Sequence, residues 1–414
     1  MFSVFVNAWK VKDIRKKLIY IAIMLAVYRV GCHIYLPGIN AAALTADTNF
    51  FNMIAGGGQG SIFAMGIAPY ITTSIIIQLL CVAIPKLEQM QKEGEEGRKK
   101  INQITRYTAV GLALLQGSGT VYSLVNSGAF HEGSGWLIYI TATASIVTGT
   151  MFIMWMGELL TEKAIGNGTS FIIFANILSQ LPAGAKQMID IARGGSGDML
   201  LVILVLAVFV AIIAFVVLVQ DGERRIPVQY SKKMVGHQMY GGQSSFIPIK
   251  VNIAGVMSII FAISLQQLPQ TLVRFFPNAS WLNRVNEFLS TSTWHGAIIY
   301  VILIFCFTFF YTSFAINPIE MAENMKKNGG FVPGIRPGKP TSDYIQRSIH
   351  RLSWVGAAVY ALIALIPIVI EAIFNIPVGF GGTTLLIVVG VALEVSKQLE
   401  SQLLMRHYKG FLSA

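Results

Sequence analysis

Ten apolar runs organise the chain, at about 18–36, 62–85, 106–126, 136–160, 170–182, 199–219, 252–268, 296–316, 352–374 and 380–396. A helix rises ~1.5 Å per residue, so ~20 apolar residues cross a ~30 Å hydrocarbon core. Hydrophobic residues make up 54% of the 414 and charged residues only 12%. Soluble domains carry about twice that charged share, so a soluble multidomain enzyme is a poor fit. The expected fold is an all-α polytopic membrane protein of ten transmembrane helices. The fifth run, 170–182, is short for a span, but without it the distribution of charge downstream loses its pattern.

That distribution sets the orientation. With a cytoplasmic N-terminus, the inner loops are about 86–105, 161–169, 220–251, 317–351 and 397–414. Of 31 Lys and Arg, all but Arg29, Lys186, Arg193, Arg274 and Arg284 fall on or near that side. Basic residues concentrate in cytoplasmic loops of membrane proteins, so both termini are predicted inside. The formal net charge of +11 then follows from topology and does not call for nucleic acid. Residues 1–17 do not read as a cleavable signal peptide. Phe2, Phe5, Val6 and Trp9 recur at helical spacing, and Lys10, Lys12, Arg15, Lys16 and Lys17 follow. This pattern predicts a cytoplasmic amphipathic helix leading into the first span.

Two features interrupt the regular spans. Residues 38–66 are only moderately apolar and contain Gly56, Gly57, Gly58 and Gly60, with Pro69 just beyond. A discontinuous second helix is predicted, and irregular backbone at membrane depth must line a cavity or be buried in protein. The connection after the fifth run holds Pro182, Gly184, Gly194, Gly195 and Gly197. It reads as an external hinge loop, 183–198, dividing an N-terminal half (18–182) from a C-terminal half (199–396), with a cytoplasmic tail at 397–414. Five spans per half give the halves opposite orientation, and inverted repeats place a pathway at their interface.

Few residues suggest chemistry. Gly194–Gly197 and Asp198 superficially match intramembrane protease motifs, but no span histidine or second aspartate completes such a site. Zinc motifs, phosphate-binding loops and any other cofactor signature are absent from the sequence, and Cys32, Cys81 and Cys306 read as buried apolar packers. Ion-coupled transport needs ionisable groups within the bilayer; Arg29, Glu158, Glu371 and Glu394 are the candidates. A secondary transporter and an intramembrane protease are the two readings these residues leave open.

The long inner loops carry more information. Arg224–Tyr230 and Ser245–Val251 read as two extended segments, with Gly241 and Gly242 between them. The alternation and the prolines favour strands, so loop 220–251 is predicted to form a hairpin presenting Arg224, Arg225, Lys232 and Lys233. In loop 317–351, Pro333, Gly334, Pro337 and Gly338 flank Arg336 and predict a stiff turn with one charge at its tip.

Several stretches in order resemble the SecY family, the central subunits of bacterial protein-conducting channels. They include Gly66–Ile71, Ser74–Leu80, Lys92–Lys100, Gly149–Phe152, Gly166–Ser170, Arg224–Tyr230, Phe331–Gly338 and Phe380–Val389. The resemblance implies a pore between two inverted halves, a plug at about 44–58, and a constriction ring of Ile67, Ile71, Thr169, Ile173, Met257 and Ile387. Thr169 departs from the apolar residue common at its position. Aliphatic side chains offer no hydrogen bonds to water or ions, so such a waist seals by dewetting while unfolded chains of many sequences slide past.

The resemblance also implies a lateral gate between spans 2–3 and 7–8, with Gln78, Gln116, Ser258 and Ser264 as candidate hydrogen-bonding residues. Arg224, Arg225, Lys232, Lys233 and Arg336 would dock the motor ATPase SecA or a translating ribosome. SecE and SecG subunits, secretory preproteins, nascent membrane proteins and lipid are the other implied partners. The expected location is the bacterial cytoplasmic membrane, and no catalytic role is expected.

Overall fold

The computed structural model describes residues 6, 8–40, 60–126, 128–131, 135–193, 196–230, 233–235, 238–240, 244–251, 253–275, 279–290, 293–374 and 382–412. The expected plug, 44–58, lies outside the described residues, as does Lys232. The described chain is predominantly helical, and each of the ten apolar runs overlaps a helix. In chain order these helices are α1 (Lys12–Gly31), α2 (Ala68–Ala83), α4 (Glu95–Asn126), α5 (Trp136–Lys163), α6 (Gly168–Ala192), α7 (Ser196–Asp221), α8 (Met257–Phe275), α10 (Trp294–Ala315), α12 (Lys339–Phe374) and α13 (Gly382–Leu412). Shorter helices are α3 (Pro85–Lys92), α9 (Ser280–Leu289) and α11 (Pro318–Lys327). Among the described residues, α4, α5, α7, α10 taken with α11, and α12 are long and apolar enough to cross a bilayer. The pair α2 and α3 passes the same test together but bends by 101° at Ile84.

The expected hinge loop is mostly helix. Residues 183–192 continue α6 through Pro182, and α7 begins at Ser196. A proline removes one backbone bond and kinks a helix, but unsatisfied backbone is costlier still in an apolar setting, so membrane helices tolerate it.

The chain forms two compact units. The first comprises Met1–Asp198, Gln267–Glu287 and Val391–Ala414; the second comprises Met199–Gln266 and Phe288–Gly390. Neither is contiguous in sequence.

In the first unit, the stretch from Gly60 to Ile67 is not helical, yet it is deeply enclosed. Ser61, Phe63, Met65 and Ile67 are buried. The Leu36 amide donates to the Gly60 carbonyl at 2.8 Å, and the Ile62 amide donates to the Ile34 carbonyl at 2.9 Å. These bonds satisfy irregular backbone that no water would reach in a membrane. Phe63 stacks on Tyr28 of α1 at 5.7 Å and on Phe152 of α5 at 6.0 Å. Glycine makes both contacts possible. A Cβ on Gly31 would sit 2.0 Å from the Phe63 ring, and one on Gly149 would sit 2.2 Å from the Ile62 carbonyl oxygen.

In the second unit, strands β1 (Glu223–Tyr230), β2 (Lys233–Val235), β3 (Gln238–Tyr240) and β4 (Ser244–Lys250) follow α7, and β5 (Gly330–Phe331) follows α11. The strands β1 and β4 form the expected antiparallel hairpin, with Ile226 opposite Ile247. The short strand β5 adds to the other edge of β1, giving the order β4-β1-β5. Ile226, Val228 and Ile249 of the sheet pack with Met325, Val332, Ile345 and Ile349 of the second loop and α12. The two long inner loops therefore share one apolar core, which the sequence reading treated as separate structures.

Candidate functional site

Three groups of candidate residues can be located. In the first unit, Ile67 caps the start of α2 and is fully buried; Ile71 lies one turn on and is half-buried. Ile173 is buried on α6. Ile67 and Thr169 converge on Gly157 of α5: a Cβ there would lie 3.2 Å from the Thr169 methyl and 3.5 Å from Ile67 Cδ1. The Thr169 hydroxyl donates to Asn167 Oδ1 at 2.6 Å, and the Thr169 amide donates to the same oxygen at 3.0 Å. This is helix capping by an asparagine just ahead of α6. It gives Thr169 a local structural partner that an apolar residue would lack. In the second unit, Met257 opens α8 and is half-buried, and Ile387 is buried on α13.

The polar candidates bond locally. Gln78 Nε2 donates to Ser74 one turn earlier at 3.3 Å, and Ser258 Oγ donates to the Gly255 carbonyl at 3.5 Å. Gln116 is half-buried on α4, and Ser264 is buried on α8. A residue not singled out in the sequence makes the long-range bonds instead. Gln266 of α8 is buried, and its Nε2 donates to the carbonyls of Leu289 at 2.5 Å and Gly296 at 2.9 Å. The available signal was an amide pair, Gln266-Gln267, inside an otherwise apolar run.

On the sheet, Arg224 and Arg225 are both exposed. Arg225 Nε donates to Glu223 Oε1 at 2.7 Å, and its guanidinium stands 4.7 Å from the centroid of the Phe246 ring. The pairing of Pro227 with Phe246 brings that ring beside Arg225 on the outer face. Lys233 is placed by its backbone in β2. Arg336 is exposed at the tip of its turn, between Gly334 (φ 81) and Gly338 (φ 105). Neither glycine is crowded, so the positive φ itself is what calls for glycine there. Thr341 Oγ1 donates to the Arg336 carbonyl at 2.8 Å and fixes the turn from within.

Two of the ionisable candidates for transport, Glu158 and Glu394, have polar partners. Glu158 of α5 pairs with Arg106 of α4 at 2.7 Å. Glu394 accepts from Gln398 Nε2 at 3.3 Å. Cys32 and Cys81 are buried as expected, but Cys306 is exposed on α10, because an apolar run long enough to span a bilayer has a face that touches no other helix. Among the described residues, no group of His, Cys, Asp and Glu is arranged to hold a metal.

The sequence matches the SecY family over residues 61–396. The chain belongs to the SecY family. Among its SecY relatives, the protein translocase subunit SecY of Streptomyces scabiei is 41% identical over 442 aligned positions, covering 100% of both chains. The SecY fold is also that of a solved protein-conducting channel, with a TM-score of 0.66 at 20% identity over 92% of this chain and 91% of that one. Sec61 in the canine ribosome-channel complex from the endoplasmic reticulum has a TM-score of 0.63 at 20% identity, over 92% and 91% of the two chains.

Proposed function

We infer that this chain is the channel subunit of a protein translocase. It passes unfolded secretory polypeptides across the cytoplasmic membrane and releases transmembrane segments sideways into the lipid. The observation that carries this reading is its full-length similarity, at 41% identity, to a protein named as translocase subunit SecY. The channel is passive and performs no catalysis of its own. Energy comes from a docked motor ATPase, SecA, or from a translating ribosome, and SecE and SecG complete the complex. The ribosome-bound relative of the same fold supports the ribosome as a partner. Both termini are cytoplasmic on the charge argument.

In this reading the ring is Ile67, Ile71, Thr169, Ile173, Met257 and Ile387, with 44–58 as the plug. Gln78, Gln116, Ser258 and Ser264 line the lateral gate. The shared body of the two inner loops supports a docking role for Arg224, Arg225, Lys232, Lys233 and Arg336, because a stiff sheet and turn hold charges in fixed positions for a partner. The deciding experiment places cysteines at 71 and 173 and stalls a secretory chain in transit. Crosslinks from both positions to the stalled chain are expected. Saturable small-solute uptake in vesicles without a motor, and no such crosslinks, would establish a transporter instead.

A further inference from the structure

Between α8 and α10 the chain makes a ten-residue helix, α9, that is far more polar than its neighbours. Its side chains divide into three stripes. Leu282 is buried, and Asn286 and Leu289, on the same side, are half-buried. Asn283 and Glu287 are exposed on a polar side. Trp281, Val285 and Phe288 recur at i, i+4 and i+7, within an arc of about 60° at 3.6 residues per turn. They are 67%, 39% and 54% exposed. A helix with one face on protein, one in water and one of uncovered aromatic rings matches a helix lying along a membrane surface.

The surroundings indicate what covers the third face. The helix follows the apolar α8 and leads into α10, which taken with α11 is long and apolar enough to cross a bilayer, so its position suits the edge of a membrane. Trp294, the first residue of α10, is 69% exposed, and its ring lies 3.7 Å from that of His295, which in turn lies 5.4 Å from Phe288. Tryptophan is enriched at this boundary because its ring is apolar and its N–H needs a wet partner. The helix carries one cation, Arg284, and one anion, Glu287, so it has no net charge with which to select a charged protein partner. The elbow after α9 is also fixed, through Gln266 to the carbonyls of Leu289 and Gly296.

We propose that α9 is an interfacial helix whose Trp281, Val285 and Phe288 face lies among the headgroups and upper acyl chains of the outer leaflet. The inference requires only that the chain is embedded in a membrane, and its readout needs no transport. In the assembled complex in vesicles, with Trp9, Trp136, Trp155, Trp294 and Trp354 changed to Phe, the emission of Trp281 is read against brominated phosphatidylcholine. Bromines high on the acyl chain should cause a roughly two-fold loss of emission, as befits a ring ~5–10 Å into the boundary, and bromines at the chain end should cause less. If the five changes impair assembly, the difference between the native complex and Trp281→Phe in the same vesicles gives the same reading. Absence of quenching overturns the proposal in either of two forms. Free access of iodide to Trp281 would mean an aqueous face, and protection from iodide would mean a protein occupant.

Discussion

Tyr230 stands opposite Gly330 in antiparallel register, and its Cε1 lies 2.9 Å from where a Cβ on residue 330 would sit. This close approach fastens the second inner loop onto the hairpin of the first. A side chain at 330 must displace the Tyr230 ring, while the Met325 carbonyl oxygen is already in contact at 3.4 Å. Gly330→Val should therefore detach β5 at a cost of about 1–3 kcal/mol, the usual range for overpacking, while leaving β1 and β4 paired. Hydrogen exchange should rise at 330–331 and stay slow at the amides of β1 that face β4.

Arg336→Glu reverses one exposed charge on a turn held by Gly334, Gly338 and Thr341. Folding should be unaffected, since no apolar contact is lost. If Arg336 belongs to the proposed docking surface, motor-driven export in vesicles should fall by at least about ten-fold, as charge reversal there would oppose the partner. Normal export with a normally assembled complex would remove Arg336 from the docking surface.

Gly149→Ala tests the enclosed stretch from Gly60 to Ile67. The added methyl meets the Ile62 carbonyl oxygen, a backbone atom that cannot swing aside. A loss of several degrees in the thermal unfolding midpoint in detergent is expected. Phe63→Ala should cost more, about 3–5 kcal/mol, because it empties the space between Tyr28 and Phe152. The more conservative Phe63→Leu should fall between the wild type and Phe63→Ala.

Gln266→Leu deletes both bonds to the elbow after α9. Side-chain bonds between membrane helices contribute about 0.6–1.7 kcal/mol each, so faster exchange at the first turn of α10 is expected. Gln266→Glu should be worse, because it replaces the donor with a carboxylate facing two carbonyl oxygens. Equal exchange in both variants would show that shape alone holds the elbow.

Widening the proposed ring with Ile71→Gly should increase ion leak through resting vesicles. Ile71 is half-buried at the start of α2, where its side chain is not needed to fill the core. Unchanged leak would exclude it from the constriction.

Local chemistry accounts for what the sequence made legible. The hairpin was readable because strands alternate and prolines forbid helix. The turn at Arg336 was readable because glycine and proline restrict the backbone one residue at a time. The union of the two loops was not, since β5 is two residues long and its pairing reaches across about a hundred positions. Such a contact leaves no periodic trace. Residues 183–192 misled for the opposite reason: Pro182 and Gly184 are turn formers in water, and the helix runs through them. Thr169 and Gln266 show the same limit for side chains. Whether a polar group in an apolar run bonds within its own turn or across to another helix depends on which carbonyls the fold brings near.

The enclosed stretch around Phe63 has a consequence for the order in which the protein is made. Its two glycine seats, Gly31 and Gly149, are supplied by α1 and by α5, which is synthesised over a hundred residues later. At about 5–20 residues per second, Gly31 waits roughly 6–24 s for Gly149 to be synthesised. During that interval the Phe63 ring can reach the notch at Gly31 but lacks its second seat, against Gly149 and Phe152 of α5. Newly made copies of the channel therefore pass through a period of dependence on surrounding lipid, or on another protein, before they can close upon themselves.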